Sequence, residues 1–282
     1  VAAVGADATA DARSGAERLD ADGLVLLPGF VDLHTHLREP GREDAETIAS
    51  GSRAAAVGGF TAVLAMANTN PVTDTAEAAE RIRDLGAAAG LVDVVPVGAV
   101  TKGLDGAELA ELGLMHRSRA RVRVFSDDGR CVADGRVMRR ALEHVRAFGG
   151  VISQHSQDPS LAGPQACCHE GETCGRLGLP GWPAVAEASI IARDAMLAEH
   201  TGSRVHVAHV STAEGLDVVR WAKARGIAMT AEVTPHHLAL GTDLLAGYDP
   251  VYKVNPPLRP DTDRAALIEG LLDGTIDAIA TD

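Results

Sequence analysis

Eight apolar, strand-like runs recur along this chain, at residues 30–36, 61–67, 92–100, 122–126, 151–156, 205–211, 228–234 and 276–281. Ala- and Leu-rich helical stretches separate most of them, at 45–57, 75–89, 137–148, 184–200, 213–224 and 263–272. This alternation is the sequence form of an α/β fold, a TIM-type (β/α)8 barrel, and 282 residues suit one such domain. A doubly wound open sheet is the competitor, but no Gly-x-Gly-x-x-Gly follows any of the runs. Residues 1–29 hold only two short β-prone pieces, 1–4 and 24–27, around a stretch rich in Ala, Asp and Gly. They cannot build a core alone. They are expected to form part of a small β-sandwich layer flanking the barrel, with Pro28-Gly29 as the hinge into residues 30–282.

A barrel of this kind carries its active site at the C-terminal ends of its strands. Polar residues gather at those ends: His34 and His36 on strand 1, Asn68 after strand 2, Asp127-Asp128 after strand 4, His155 on strand 5, His209 on strand 6 and Asp282 on strand 8. Strand side chains alternate faces, so His34 and His36 point the same way with Cα atoms roughly 7 Å apart, a spacing at which both imidazoles reach one ion. Four imidazoles and at least two carboxylates meeting at one rim would be a poor way to build a core.

The other histidines read differently. His116, His144, His169 and His200 fall in helical or loop segments and are expected at the surface. His206 and His209 differ by three, so on a regular strand they face opposite sides, and His209 is the one expected at the mouth. His236 and His237, after Pro235, fit either a supporting or a structural role. Strand 4, with the sequence Arg-Val-Arg-Val-Phe-Ser-Asp-Asp-Gly, has no lysine that carboxylation could turn into a bridging ligand. Either an aspartate bridges two ions or the site holds one.

A formal charge of -13 argues against nucleic acid or an anionic membrane surface as partner, and no run approaches a membrane span. An anionic small substrate would then need positive charge placed locally. Cys131, Cys167, Cys168 and Cys174 show no paired C-x-x-C spacing, which sets aside a zinc knuckle and reads most simply as a reduced, cytoplasmic protein.

Five motifs, taken together, resemble dihydroorotase of the larger bacterial type, within the amidohydrolase superfamily and nearest its actinobacterial members. They are Phe-Val-Asp-Leu-His-Thr-His-Leu-Arg-Glu-Pro-Gly from Phe30, Met-Ala-Asn-Thr-Asn-Pro from Met66, Phe-Ser-Asp-Asp-Gly from Phe125, Val-Asn-Pro-Pro-Leu-Arg from Val254 and Ala-Thr-Asp from Ala280. The resemblance implies one or two Zn2+ ions: His34, His36 and Asp282 on the first, His155 and His209 on the second, and Asp128 bridging. The choice of Asp128 over Asp127 rests on the family's spacing. It further implies that His36, Arg38, Asn68 and Asn255 bind substrate, with Arg38 and Asn68 on its free carboxylate, and that Asp282 is the catalytic acid and base. The implied reaction interconverts N-carbamoyl-L-aspartate and L-dihydroorotate in pyrimidine biosynthesis, in a homo-oligomer that some members extend with aspartate transcarbamoylase.

Two departures stand out. Ala67 sits where many members have proline, and the chain stops at Asp282, where the family continues with a His-Ala-Pro-His run, a last barrel helix and more of the β layer. The barrel therefore reads as truncated after strand 8, with an apolar flank that a continuation or a partner is expected to cover. The rival functions are a hydantoinase or allantoinase, disfavoured by the missing lysine and by Arg38, and a non-catalytic partner of aspartate transcarbamoylase, disfavoured because every ligand position is filled.

Overall fold

The computed structural model describes residue 5, residues 13–17 and residues 19–282. In chain order the main elements are β1 (Phe30–Thr35), α1 (Ile48–Val57), β2 (Phe60–Ala65), α2 (Ala76–Ala89), β3 (Asp93–Pro96), α3 (Leu112–Arg117), β4 (Val124–Phe125) and α4 (Gly135–Arg146). They continue as β5 (Val151–Gln154), α5 (Ala184–Thr201), β6 (Arg204–Val207), α6 (Ala213–Ala224), β7 (Met229–Val233), α7 (Asp261–Leu272) and β8 (Ala278–Ile279). The result is an α/β fold whose named strands pair in parallel.

Three strands pair in the order β1-β2-β3 and five in the order β8-β7-β6-β5-β4. Just past β3, Gly98 bridges to Phe125 of β4 in parallel, and its N–H donates to the Val124 carbonyl at 3.1 Å. A Cβ on Gly98 would lie 2.8 Å from the Met115 sulfur and 2.9 Å from the Phe125 ring, so only glycine lets the strands approach here.

Helix caps explain where the crossovers begin. Asp134 accepts from the N–H groups of Arg136 and Val137 to start α4, and Thr212 accepts from Gly215 to start α6. Along α4, Val137, Met138, Ala141, Leu142 and Val145 recur at helical spacing and are all buried. They pack with Phe125, Ile152, Val205, Val207 and Ile191 in one cluster between strands and helices. Each of these Val, Leu, Ile, Met and Phe side chains taken fully from water contributes roughly 1.5–3 kcal/mol.

Several expectations need correction. The third crossover contains α3, which the sequence reading left without a helix; it is six residues long, lacks a side-chain N-cap bond and contains Gly113. The β5–α5 loop holds its own two-stranded ladder, Cys168–His169 with Gly181–Trp182. It also holds a disulfide between Cys168 and Cys174, Cα atoms 6.1 Å apart, where four reduced cysteines were expected. Residues 24–27 form no strand, and their side chains are exposed; residues 1–4 lie outside the described residues.

Candidate metal centre

The candidate side chains are delivered by strand ends and by a deliberate stitch between the first and last strands. Buried Asp32 on β1 accepts from the His34 N–H at 3.2 Å, from the Thr281 N–H at 3.1 Å and from the Thr281 hydroxyl at 2.7 Å. Asp282, next in sequence, donates its backbone N–H to the His34 carbonyl at 3.0 Å. On the other side, Glu187 of α5 accepts from the backbone N–H and hydroxyl groups of Ser211 and Thr212, fixing the turn that follows His209. Arg38, His209 and Asp282 hold φ angles of 61°, 33° and 60°. For non-glycine residues this left-handed region costs on the order of 1–3 kcal/mol each and persists only where the surroundings impose it.

All six expected metal-site residues come together. Nε2 of His34 and Nε2 of His36 lie 3.4 and 3.3 Å from Asp128 Oδ2, and 3.4 and 2.8 Å from Asp282 Oδ1. The other Asp128 oxygen, Oδ1, is 3.1 Å from His209 Nε2 and 3.4 Å from His155 Nδ1. His155 Nδ1 and His209 Nε2 are themselves 3.0 Å apart. Two donor sets result, His34, His36, Asp128 and Asp282 in one and Asp128, His155 and His209 in the other, with the ligand atoms of each within 4.8 Å of one another. Asp128 belongs to both. Asp127 points elsewhere and accepts from the N–H groups of Val100 and Thr101 at 2.8 and 2.9 Å, so it anchors the loop after β3.

The partners of the outer ring nitrogens fit a cation site. His34 Nδ1 faces Glu232 Oε1 at 3.0 Å, His36 Nδ1 faces Asn68 Oδ1 at 3.0 Å, and His155 Nε2 faces Gln157 Oε1 at 2.9 Å. The tautomer that donates from these outer nitrogens to the three oxygens leaves the inner nitrogens' lone pairs toward the cluster. Buried His34 Nε2 has no hydrogen-bond partner at all. Burial alone would lower the His34 pKa, yet Asp128, Glu232 and Asp282 raise it well above the usual range. Burial would likewise raise Asp128 and Asp282, but the surrounding imidazoles hold both well below the carboxylate range. The cluster attracts positive charge, and its N/O donors at convergent angles suit a divalent ion.

Beside it opens a cavity of about 320 Å³ lined by His36, Arg38, Asn68, Asp128, His236, Asn255 and Asp282, among others. Thus all four expected substrate contacts reach one space. His236 adds a ring whose buried Nε2 is without a partner, and burial lowers its pKa so that it is a neutral group there.

Sequence reasoning missed Glu232, misplaced His206 and His169, and left the role of His237 open. His206 does not turn away: its Nε2 is 3.1 Å from Glu232 Oε2, so it lies behind His34. The alternation argument fails because β6 ends at Val207 and the chain bends at His209. His169 is not a surface residue but half-buried, 3.1 Å from the Arg259 guanidinium. His237 is fully buried, receives the Thr234 hydroxyl at 2.6 Å on Nδ1 and donates Nε2–H to the Pro256 carbonyl at 3.1 Å. An acidic residue inside the apolar run Met-Thr-Ala-Glu-Val was the signal that pointed to Glu232.

A model of the dihydro-orotase-like family matches residues 23–215, a span that contains β1 to β6 and five of the six residues of the two donor sets. The chain belongs to this dihydroorotase-like family. Among similar proteins named dihydroorotase, that of Leifsonia xyli subsp. xyli is 66% identical over 270 residues, covering 95% of this chain and 61% of its own. Those of Streptomyces coelicolor and Mycobacterium tuberculosis are 62% and 58% identical, covering 100% and 95% of this chain and 65% and 62% of their own. The chain therefore spans less than two thirds of these relatives' length. The resemblance read from the five motifs, including its actinobacterial leaning, is borne out. Among solved structures, the L-hydantoinase (dihydropyrimidinase) from Arthrobacter aurescens superposes with a TM-score of 0.75 at 25% identity, over 90% of this chain and 57% of that one. D-hydantoinase from Bacillus sp. AR9 reaches 0.78 at 22% identity over 95% of this chain and 60% of that one, a likeness of fold alone.

Proposed function

We propose that the protein is a zinc-dependent dihydroorotase, interconverting N-carbamoyl-L-aspartate and L-dihydroorotate. The observation that carries this reading is the division of Asp128, with one oxygen toward His34 and His36 and the other toward His155 and His209, beside a cavity that also holds Arg38. In the proposal His34, His36, Asp128 and Asp282 hold one ion, and Asp128, His155 and His209 hold the second. When bound, such an ion supplies Lewis acidity and brings the pKa of a water down to about 7.

The chain's own groups do the rest. Arg38 presents a planar fork that matches the substrate's free carboxylate bidentately, and the Asn68 amide N–H2 adds donors, since its oxygen is occupied by His36. Asn255 closes the other side of the cavity. Asp282, kept ionised by His36, takes a proton from the attacking water in the hydrolytic direction and returns it to the leaving ring nitrogen. In the cyclising direction the same transfers run in reverse.

The closed (β/α)8 barrel belongs to the same reading; the Gly98–Phe125 bridge and the Asp282–His34 bond at the two sheet seams support it. A cytoplasmic setting and a small anionic substrate belong to the same reading; no described helix is long and apolar enough to cross a membrane. A partner such as a second subunit or aspartate transcarbamoylase would cover the exposed Leu24, Val25, Leu26, Leu27, Phe30 and Val31.

Hydantoinase activity is the second reading, favoured by the solved structures that share this fold. Assays with carbamoyl aspartate and dihydroorotate beside hydantoin and allantoin decide between them. Turnover of the first pair alone supports dihydroorotase; turnover of hydantoin or allantoin with no dihydroorotate hydrolysis overturns it.

A further inference from the structure

We propose that Glu232 and His206 form a buried carboxylate–imidazole pair that positions His34 and tightens the hold of the His34 side on its ion. The inference rests on the metal-centre reading above and concerns residues that contribute no ligand atom themselves.

Glu232 on β7 and His34 on β1 are 198 residues apart in sequence, yet Glu232 Oε1 accepts from His34 Nδ1 at 3.0 Å. Its other oxygen meets His206 Nε2 at 3.1 Å, a close polar contact rather than an aligned hydrogen bond, and His206 Nδ1 faces the Thr230 hydroxyl at 2.8 Å. Glu232 is 1% exposed and His34 is fully buried. A carboxylate this deep is tolerated only with partners, and the two imidazoles provide them.

The arrangement is specific to His34. The outer nitrogens of His36 and His155 meet neutral amide oxygens, of Asn68 and Gln157, whereas His34 alone among the described histidines of the cluster is backed by a carboxylate. An anionic acceptor fixes the tautomer with Nε2 free, locks the ring's orientation and makes that nitrogen a stronger donor to a metal. Glu232 does not line the cavity, so it acts through His34 as a positioning residue. His206 in turn orients Glu232.

Zinc affinity, measured by competition with a chromophoric chelator, and the visible spectrum of the cobalt(II)-loaded protein test this in wild type, Glu232→Gln and His206→Asn. Glutamine can still accept from Nδ1 but carries no charge, so zinc affinity is expected to fall about 10- to 100-fold with a shifted cobalt spectrum. His206→Asn keeps the bond between Glu232 and His34 and is expected to weaken zinc in the same direction by less; it carries the test alone if Glu232→Gln fails to fold. Zinc affinities within twofold of wild type and superimposable cobalt spectra would overturn the inference. A wild-type protein that binds neither metal would instead overturn the metal-centre reading beneath it.

Discussion

The backbone N–H of Asp282 donates to the carbonyl of His34 at 3.0 Å, so the segment that follows β8 is tied to β1 at the point where both offer candidate ligands. Main-chain bonding thus sets the distance between two side chains 248 positions apart, and Asp32 reinforces it through Thr281. Geometry at this seam is held by groups that never touch an ion.

Asp32→Ala removes the acceptor for three donors at once. Leaving the buried His34 N–H unpaired and breaking the two part-buried bonds to Thr281 costs about 1–3 kcal/mol, so urea unfolding is expected to show a loss in that range. Asp282 loses its anchor as well, and hydrolytic activity is expected to fall with it. Asp32→Asn, which still accepts from the backbone, is expected to lose less of both.

Arg38→Lys tests the carboxylate fork. Lysine keeps the charge but cannot bond bidentately, and hydrogen bonds to charged groups contribute about 1.5–3 kcal/mol. Steady-state kinetics on dihydroorotate are expected to show kcat/KM reduced roughly 10- to 100-fold, mostly through KM. An unchanged KM would remove Arg38 from the substrate site.

His237 makes the fold sensitive to acid. Burial first, then His236, His209 and Arg259 facing it, push its pKa down to about 3. An unfolded histidine titrates near about 6.5, so below that pH the unfolded chain binds the proton that the folded chain refuses. Stability from this site is complete above about pH 6.5 and is lost as the pH falls, by about 1.4 kcal/mol per unit, or about 2 kcal/mol at pH 5. His237→Gln is expected to be less stable at pH 7.5 but to lose less between pH 6.5 and 5 in denaturant titrations. A slope equal to wild type would contradict this.

Gly86→Ala sets helix propensity against packing. Alanine favours a helix by about 1 kcal/mol, but a Cβ at position 86 of α2 would collide with the Val94 Cβ on β3 and come within 2.8 Å of its Cγ2. Overpacking of this kind costs about 1–3 kcal/mol, so thermal melts are expected to show net destabilisation, relieved in combination with Val94→Ala.

Much of this was legible in the sequence because strand alternation and strand ends leave strong local marks. The eight β runs and the helices at 76–89, 184–201 and 213–224 follow from the alternation of apolar runs with Ala- and Leu-rich stretches, and His34, His36, His155, His209 and Asp282 stand out by their position at strand ends, while the choice of Asp128 over Asp127 came from the family resemblance. What stayed hidden depends on contacts between distant strands. The tie from Glu232 to His34 has no local signature, and the parity rule that turned His206 away assumes a regular strand that the φ of His209 interrupts. The Cys168–Cys174 pairing likewise comes from a loop ladder with no periodic pattern.

In the proposed enzyme these six side chains hold divalent metal at one rim. Anomalous diffraction at the zinc edge, on crystals grown with zinc, tests this. One or two peaks are expected about 2.0–2.2 Å from the inner nitrogens and carboxylate oxygens of the cluster, with Asp128 near both when two are present. Zinc bound only elsewhere on the molecule, with no peak among His34, His36, Asp128, His155, His209 and Asp282, would contradict it.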